Sequence, residues 1–373
     1  YTRILKQKQC YDIKQCRCVL YLLCAAVLSL ICLLSFHLLL METGEAVAWH
    51  VSPRHKKLVN DHVIQVLGAQ CLPSRTRKSL FSYLPSSLHA PQPFLWKDDS
   101  LTDDLFLYPP PFGFQGLQSK VERLLKHLKL PRSDAAHQLR NGSRACQRCV
   151  VVGNGGILKG LGLGALIDRF DVVIRLNSGP LGEYAPDVGN RTTIRMSYPE
   201  GTPLHWADPD PDAVFVAVVY KGVDVSWTSA MMNRLPVSLW DWLFFWQKVP
   251  DHIPLDSSRF RLLNPQVIRE TALHLLRFPP PRWRLWGSEK NIPTIGLSAL
   301  TLASLLCDEV SLAGFGYNFS GNGAPLHYYD NQPTRVMQQQ TSHNVQKETE
   351  FLQKLVGEGA ITDLTGGIRC TFC

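Results

Sequence analysis

The chain has 373 residues, 45% of them hydrophobic and 19% charged, with a formal net charge of +8. That composition can bury a large core, and without any membrane segment roughly 300 residues remain for one large domain or two small ones. Much of the charge excess lies in Arg3, Lys6, Lys8, Lys14 and Arg17, opposed only by Asp12, and the rest is spread thinly. A nucleic-acid partner is therefore not expected.

In chain order, residues 1–18 read as a cytosolic tail and 19–40 as a transmembrane signal anchor. The 22 residues from Val19 to Leu40 carry no charge, and at the helical rise they match the hydrocarbon core of a bilayer. The basic flank precedes the span, which places the tail in the cytosol and the bulk of the chain in a lumen, as a single-pass type II protein. Ala46-Val47-Ala48 looks like a signal-peptidase site, but the apolar run is longer than a usual signal-peptide core, and the anchor is preferred. Residues 41–70 are polar without clear periodicity and read as a luminal stem; 71–373 are assigned to one luminal domain. The chain starts at Tyr1 rather than methionine, which leaves its natural N-terminus open.

Five of the eleven cysteines (Cys10, Cys16, Cys18, Cys24 and Cys32) fall in the tail or span, and those near the cytosolic boundary are candidates for palmitoylation. The other six are Cys71, Cys146, Cys149, Cys307, Cys370 and Cys373. Cys146-Gln-Arg-Cys149 lacks the second ligand pair of a zinc site, and widely spaced cysteines in an oxidising lumen read as disulfides. Sequons at Asn141, Asn190 and Asn318 fit a secretory route.

Leu117, Val121, Leu124, Leu125 and Leu128 share one helical face. Val150–Val152 then reads as a short buried strand running into Gly153-Asn154-Gly155-Gly156. Further strands are expected at Asp171–Arg175, Thr192–Met196, Ala213–Val219, Arg261–Leu263 and Glu309–Ala313, with helical patterns between several of them. This alternation predicts an α/β class: a mostly parallel twisted sheet with helices on both faces. Ligands then belong beyond the carboxyl ends of the strands.

Three motifs bear on chemistry. The glycine turn at 153–156 admits a phosphate or nucleoside close to the backbone, a dinucleotide fold, or a tight structural turn. The dinucleotide pattern needs glycine at 158, where the chain has Leu158. Asp208-Pro-Asp210-Pro-Asp212 has the look of a metal-binding D-x-D. Its alternating prolines favour a solvated surface loop, and no catalytic metal is expected. His327-Tyr328-Tyr329, and His343 with Glu348 five residues on, offer proton transfer near neutral pH. A neighbouring carboxylate would fix the imidazole tautomer or raise its basicity.

Four blocks in register resemble the sialylmotifs of the eukaryotic sialyltransferase family: Cys149–Met196, Asn291–Gly314, His327–Asp330 and His343–Glu348. The similarity extends from near Cys71 to Ile368. It implies a Rossmann-like, single-domain variant glycosyltransferase fold in the Golgi membrane. It also implies inverting, metal-independent transfer from CMP-sialic acid, with no cofactor. By that resemblance Asn154, Gly155 and Asn177 contact the CMP moiety, and Thr294, Ile295 and Gly296 cradle it. Tyr198 and His327 lie near the donor phosphate, His343 is the general base and Glu348 is the acidic partner in its motif. The implied disulfides are Cys149 with Cys307 and Cys71 with Cys146, which leaves the pairing of Cys370 and Cys373 open.

Within the family, the Asn291–Gly296 block and the His-Tyr-Tyr motif are similar to the α-2,3 branch acting on galactose. Pro110–Phe114, Leu243–Trp246 and Trp286-Gly287 resemble its ganglioside-forming members, implying lactosylceramide as acceptor. Leu326–Tyr329 and Ile361–Ile368 are equally similar to members that act on N-acetyllactosamine ends of glycoproteins. Trp240, Trp242, Phe244, Phe245 and Trp246 read either as a sugar- or lipid-facing surface or as an aromatic core helix. The rival functions are an NAD-dependent oxidoreductase and a non-catalytic Golgi glycan-binding protein. A homodimer is one possible assembly.

Overall fold

In a computed structural model of the chain, the apolar runs pair into one eight-stranded sheet. The structure describes residues 24–33, 49–99, 101–128, 146–206, 208–281, 291–316, 324–334, 337 and 342–373. The strands are β1 (Phe94–Leu95), β2 (Arg148–Val152), β3 (Val172–Leu176), β4 (Ile194–Ser197), β5 (Val214–Ala217), β6 (Phe260–Leu263), β7 (Glu309–Ala313) and β8 (Thr362–Asp363). Their spatial order is β1-β6-β5-β4-β3-β2-β7-β8. Every pairing is parallel except β1 against β6. The six strands expected from the sequence all form. The two-residue edge strands β1 and β8 carry too little pattern to be read in advance.

Alternation along each strand divides the core. Cys149, Val151, Ile174, Met196 and Val216 face one side, where they meet Leu297, Leu300 and Leu355. Those partners come from the Ile295–Leu306 and Val345–Gly357 helices. Val150, Val152 and Val173 face the other side, against Val59 and Val63. Further along that second side, Phe215 and Phe260 meet Val121, Leu124 and Trp227. Parallel strands covered on both faces must be largely apolar on both, which is why Val150–Val152, Val172–Ile174 and Val214–Val216 read as continuous apolar runs.

The chain divides into two units, Tyr1–Ala46 and Val47–Cys373. In the first, residues 24–33 are helical. The expected tail and the rest of the expected span lie outside the described residues. Among the described residues no helix is long and apolar enough to cross a membrane. Sequons Asn141 and Asn318 also lie outside them, while Asn190 is exposed.

Part of the expected stem, 41–70, is a helix of the compact unit. Residues Pro53–Gly68 form a helix that opens on Pro53, with Ser52 Oγ accepting from the His55 N–H at 3.2 Å. Only Val59 and Val63 are buried, so its periodicity is two residues deep and escapes a sequence reading. That pair nonetheless belongs to the core, and Asn60 donates to the Leu161 carbonyl at 2.9 Å. Residues 41–46 are thus all that separates the expected span from the unit that begins at Val47.

Disulfides join Cys71 to Cys146, Cys149 to Cys307, and Cys370 to Cys373. The second links β2 to the end of the Ile295–Leu306 helix across 158 residues of sequence, tying together two of the four blocks.

The acidic-proline loop is also corrected. Asp208 is not solvated: it pairs with the buried guanidinium of Arg195. Its Oδ2 accepts from Arg195 Nε at 2.8 Å and its Oδ1 from Thr192 Oγ1 at 2.8 Å. Asp212 does behave as surface, its side chain 77% exposed beside Arg259. Asp208→Ala leaves a buried guanidinium unpaired and is expected to destabilise the fold by roughly 3–5 kcal/mol. Asp212→Ala, breaking a solvent-screened pair, is expected to cost no more than about 1 kcal/mol. Urea unfolding midpoints of the two variants provide the comparison.

Candidate active site

Chain order runs outward from β2 through β6 on one side and then returns to place β7 on the other side of β2. The strand order therefore reverses between β2 and β7, which stay parallel, and a crevice opens beyond their carboxyl ends. A cavity of about 620 Å³ occupies that place, within the usual range for small-molecule sites. Loops after five consecutive strands in space supply its wall: Gly314–Gly316 after β7, Gly153–Gly155 after β2, Asn177 after β3, Tyr198 after β4 and Lys221 after β5. All ten site residues expected to act on donor or acceptor line it: Asn154, Gly155, Asn177, Tyr198, Thr294, Ile295, Gly296, His327, His343 and Glu348.

The glycine turn serves backbone packing first. Gly153 and Gly155 donate to the Ala313 and Gly314 carbonyls at 2.8 and 3.1 Å, and Gly156 donates to the Leu326 carbonyl at 3.3 Å. A Cβ at Gly155 would lie 2.5 Å from the Gly314 oxygen. Three of the turn's N–H groups are thus spent on the protein itself, which favours the structural reading over a phosphate cradle. Leu158, where a dinucleotide fold needs glycine, is fully buried beneath Gly314. Only a three-residue turn, Gly156–Leu158, follows the glycines, so they open no helix toward a pyrophosphate.

The helix aimed at the cavity is Ile295–Leu306. Thr294 caps it, its Oγ1 accepting from the Leu297 N–H at 3.3 Å. Thr294, Ile295 and Gly296 all line the cavity, so the positive end of the helix dipole is presented to a ligand anion. Asn177 lies in the left-handed region, φ 50°, a conformation that asparagine tolerates better than most residues. Arg195 Nη1 donates to the Asn177 carbonyl at 2.8 Å and the Gly179 carbonyl at 3.0 Å. The buried Arg195–Asp208 pair thus also holds the loop that carries Asn177.

The two histidines have different partners. His327 Nδ1 lies 2.6 Å from Asp330 Oδ2, and its ring stacks on Tyr329 at a centroid distance of 5.0 Å. A bridge to Gly155 fixes its backbone. His343 Nδ1 lies 2.7 Å from the Ile292 carbonyl. A carbonyl can only accept, so Nδ1 carries the proton and Nε2 keeps its lone pair. Burial lowers the His343 pKa, partly offset by the Ile292 hydrogen bond. The imidazole therefore stays neutral at and somewhat below its ordinary range. Tyr328, between the two functional-looking neighbours, is core: 2% exposed, its hydroxyl donates to the Pro180 carbonyl at 2.7 Å.

Glu348 does not orient His343, contrary to expectation. Its Oε1 accepts from the Thr294 N–H at 2.8 Å and its Oε2 from Thr294 Oγ1 at 2.5 Å. A backbone carbonyl takes the place expected for a carboxylate at His343, and Glu348 fixes the start of the Ile295–Leu306 helix instead. Burial pushes the Glu348 carboxyl up to about 7, against the lowering effect of both Thr294 bonds.

Sequence reasoning missed Glu200 and Lys221 in the wall, while Trp246 was among the aromatics it singled out. Lys221 Nζ lies 2.6 Å from Glu200 Oε1 and 3.0 Å from Asp224 Oδ1, and Glu200, Lys221 and Trp246 all line the cavity. Burial raises the Tyr198 pKa, with Glu200 and Asp224 adding to it, so its hydroxyl remains a donor at neutral pH. The only available signal was position, since Glu200 and Lys221 closely follow strands. Among the described residues no group of three or more His, Cys, Asp or Glu side chains converges as a metal site.

A carboxyl raised above its unfolded value adds stability that is present below about pH 4.5 and lost as pH rises through about 7. Glu348→Gln cannot ionise. It is expected to remove up to about 2 kcal/mol of the stability difference between pH 5 and pH 8, read from urea midpoints against the parent chain.

Residues 94–360 match the family described as glycosyltransferase family 29 (sialyltransferase). Lactosylceramide alpha-2,3-sialyltransferase of Rattus norvegicus is 46% identical over 86% of this chain and 82% of its own length. The Homo sapiens protein of that name is 46% identical over 87% of this chain and 77% of its own. The CMP-N-acetylneuraminate-beta-1,4-galactoside alpha-2,3-sialyltransferase of Homo sapiens is 39% identical over 70% of this chain and 68% of its own. A crystal structure of a mammalian sialyltransferase in complex with Gal-beta-1-3GalNAc-ortho-nitrophenol shares the fold. It superposes with a TM-score of 0.59 at 21% identity, covering 79% of this chain and 98% of that one.

Proposed function

The chain belongs to glycosyltransferase family 29, the sialyltransferases, and from that premise we propose that it transfers sialic acid from CMP-sialic acid to O3 of the terminal galactose of lactosylceramide. The observation that carries the site assignment is that Asn154, Gly155, Asn177, Thr294–Gly296, His327 and His343 line one cavity. The acceptor assignment is supported by 46% identity to lactosylceramide enzymes, against 39% to the galactoside enzymes.

In this reading Asn154, Gly155 and Asn177 hold the CMP moiety with Thr294–Gly296. The Tyr198 hydroxyl, the His327 imidazole and the N-terminus of the Ile295–Leu306 helix face the donor phosphate. The galactose O3 forms a bond to C2 of sialic acid from the face opposite the leaving group, while the C2–O bond to phosphate breaks and CMP departs. Negative charge grows on the departing phosphate, and hydrogen-bond donors already in position lower that barrier. The O3 proton passes to Nε2 of His343, which holds a lone pair because Nδ1 is bonded to Ile292. One displacement inverts the anomeric centre and gives an α-sialoside. Glu348 is a positioning residue, acting through Thr294.

The reaction is assigned no metal and no cofactor. The protein is assigned to the Golgi membrane as a type II enzyme with a luminal catalytic domain, with Asn141, Asn190 and Asn318 as glycan acceptors. The N-acetyllactosamine end of glycoproteins is the second reading, supported by the Leu326–Tyr329 and Ile361–Ile368 stretches and by the 39% identity to the galactoside enzymes.

His343→Ala is expected to lower kcat by about 10²–10⁴-fold with the unfolding midpoint unchanged; full turnover in the folded variant would remove the base assignment. Because burial holds the His343 pKa below its ordinary value, the acid limb of kcat against pH is expected below about 6.5. Excess EDTA should leave the rate unaltered. Lactosylceramide in vesicles and a desialylated N-glycoprotein, offered in parallel, decide the acceptor: preferential transfer to the glycoprotein would overturn the glycolipid reading and keep the chemistry.

A further inference from the structure

One surface beside the cavity has the wrong polarity for water. Leu235, Leu239, Trp240, Leu243, Phe244 and Trp246 are 57%, 84%, 76%, 73%, 67% and 70% exposed. Among the described residues no other Phe or Trp is exposed. The alternative reading of this segment, an aromatic core helix, is therefore overturned for most of it.

The exposure is built rather than frayed. Ser238 caps the Leu239–Trp242 helix, its Oγ accepting from the Trp240 N–H at 3.3 Å. Two aromatics turn inward: Phe245 is 9% exposed and Trp242 packs edge-on against it at 6.2 Å. Lys221 Nζ covers the Phe245 ring at 5.0 Å, and the Gln247 side chain donates to the Glu200 carbonyl. With Trp242 and Phe245 anchored, Leu239, Trp240, Leu243 and Phe244 are held outward.

What covers this face must suit large apolar and aromatic groups flanked by cations, since the exposed residues Arg234 and Lys248 bracket it. Trp, Phe and Leu on one face with basic residues at the margin are the composition of segments that lie in a membrane interface, where anionic headgroups meet the cations. The surface is also continuous with the reaction site, because Trp246 lines the cavity. If the acceptor is a disaccharide on ceramide, its galactose stands only two sugar rings above the bilayer, so the cavity mouth must come down to the lipid. The chain carries its own expected bilayer span six residues before the compact unit.

We infer that the Leu239–Trp246 face docks into the headgroup layer of the bilayer that carries the acceptor, presenting the cavity to membrane-held glycolipid. The inference rests on the glycolipid reading of the acceptor. Docking replaces a search through solution by a search within the membrane plane, raising the effective acceptor concentration.

The test uses the full chain reconstituted in phosphatidylcholine/phosphatidylserine vesicles, beside the variant Leu239→Ser/Trp240→Ser/Leu243→Ser/Phe244→Ser. None of these four side chains lines the cavity. With lactosylceramide in the bilayer, kcat/KM is expected to fall at least about tenfold in the variant, while kcat/KM for soluble methyl β-lactoside stays within about twofold. Equal losses on both acceptors, or none on either, overturn the inference. Brominated phosphatidylcholine, without glycolipid, gives a readout independent of the acceptor: lipid quenching of tryptophan fluorescence should drop when Trp240 and its neighbours are replaced. Unchanged quenching, or dispersal of a dimer by the same substitutions, would assign the face to something other than lipid. A parent chain that sialylates only the glycoprotein sinks the glycolipid reading, and the quenching result still decides whether the face meets a membrane.

Discussion

The site depends on how closely the ends of β2 and β7 approach each other. Gly153 and Gly155 bond to the carbonyls of Ala313 and Gly314 with no side chain between them. Gly314 itself takes φ 72°, a region that costs glycine little and other residues more. Where the strand order reverses between the parallel neighbours β2 and β7, this backbone seam closes the floor of the crevice. Everything above it, from the Asn177 loop to the Ile295–Leu306 helix, is positioned relative to that floor. The Cys149–Cys307 bridge ties one of those strands to the far end of the same helix.

Two buried charged groups then fix the loops that line the cavity, by different means. Arg195 uses its pair with Asp208 to neutralise its charge and its remaining N–H groups to hold the Asn177 and Gly179 carbonyls. Glu348 pairs with no cation among the described residues: Thr294 supplies it two donors, and burial raises its pKa toward neutrality. The first arrangement is a full ion pair, costly to break because a charge would be stranded. The second is a carboxyl that relieves its own desolvation by taking up a proton. Both act by holding neighbouring parts of the chain, Arg195 through two carbonyls and Glu348 through the Thr294 N–H and hydroxyl, so their effect on a reaction is one of position.

The cavity joins a polar half to an apolar rim. Its polar half is the helix terminus, Asn177, Tyr198 and the two histidines; its rim runs through Trp246 into the exposed Leu239–Phe244 face. A water-soluble nucleotide sugar suits the first and a lipid-borne glycan suits the second. Family membership accounts for the donor chemistry, while the apolar rim bears on where the acceptor comes from.

The sequence by itself determined the strand-helix alternation, the six principal strands, the cysteine pool and the four blocks that carry the family resemblance. These are legible because buried parallel strands are continuously apolar, and because a shared site constrains residue type at fixed spacing. It did not determine the two-residue edge strands or the Pro53–Gly68 helix, whose buried face amounts to Val59 and Val63. Nor did it decide the partners of the polar groups. Asp208 looked like a solvated loop residue, yet folding brings it to Arg195; Glu348 looked like a partner for His343, yet it binds Thr294, and Ile292 takes its place. Whether five aromatics formed a core or a surface was equally undecidable in one dimension. Local pattern records which residues are apolar or titratable, but burial and pairing are set by groups distant in the chain, and only the tertiary structure brings those together.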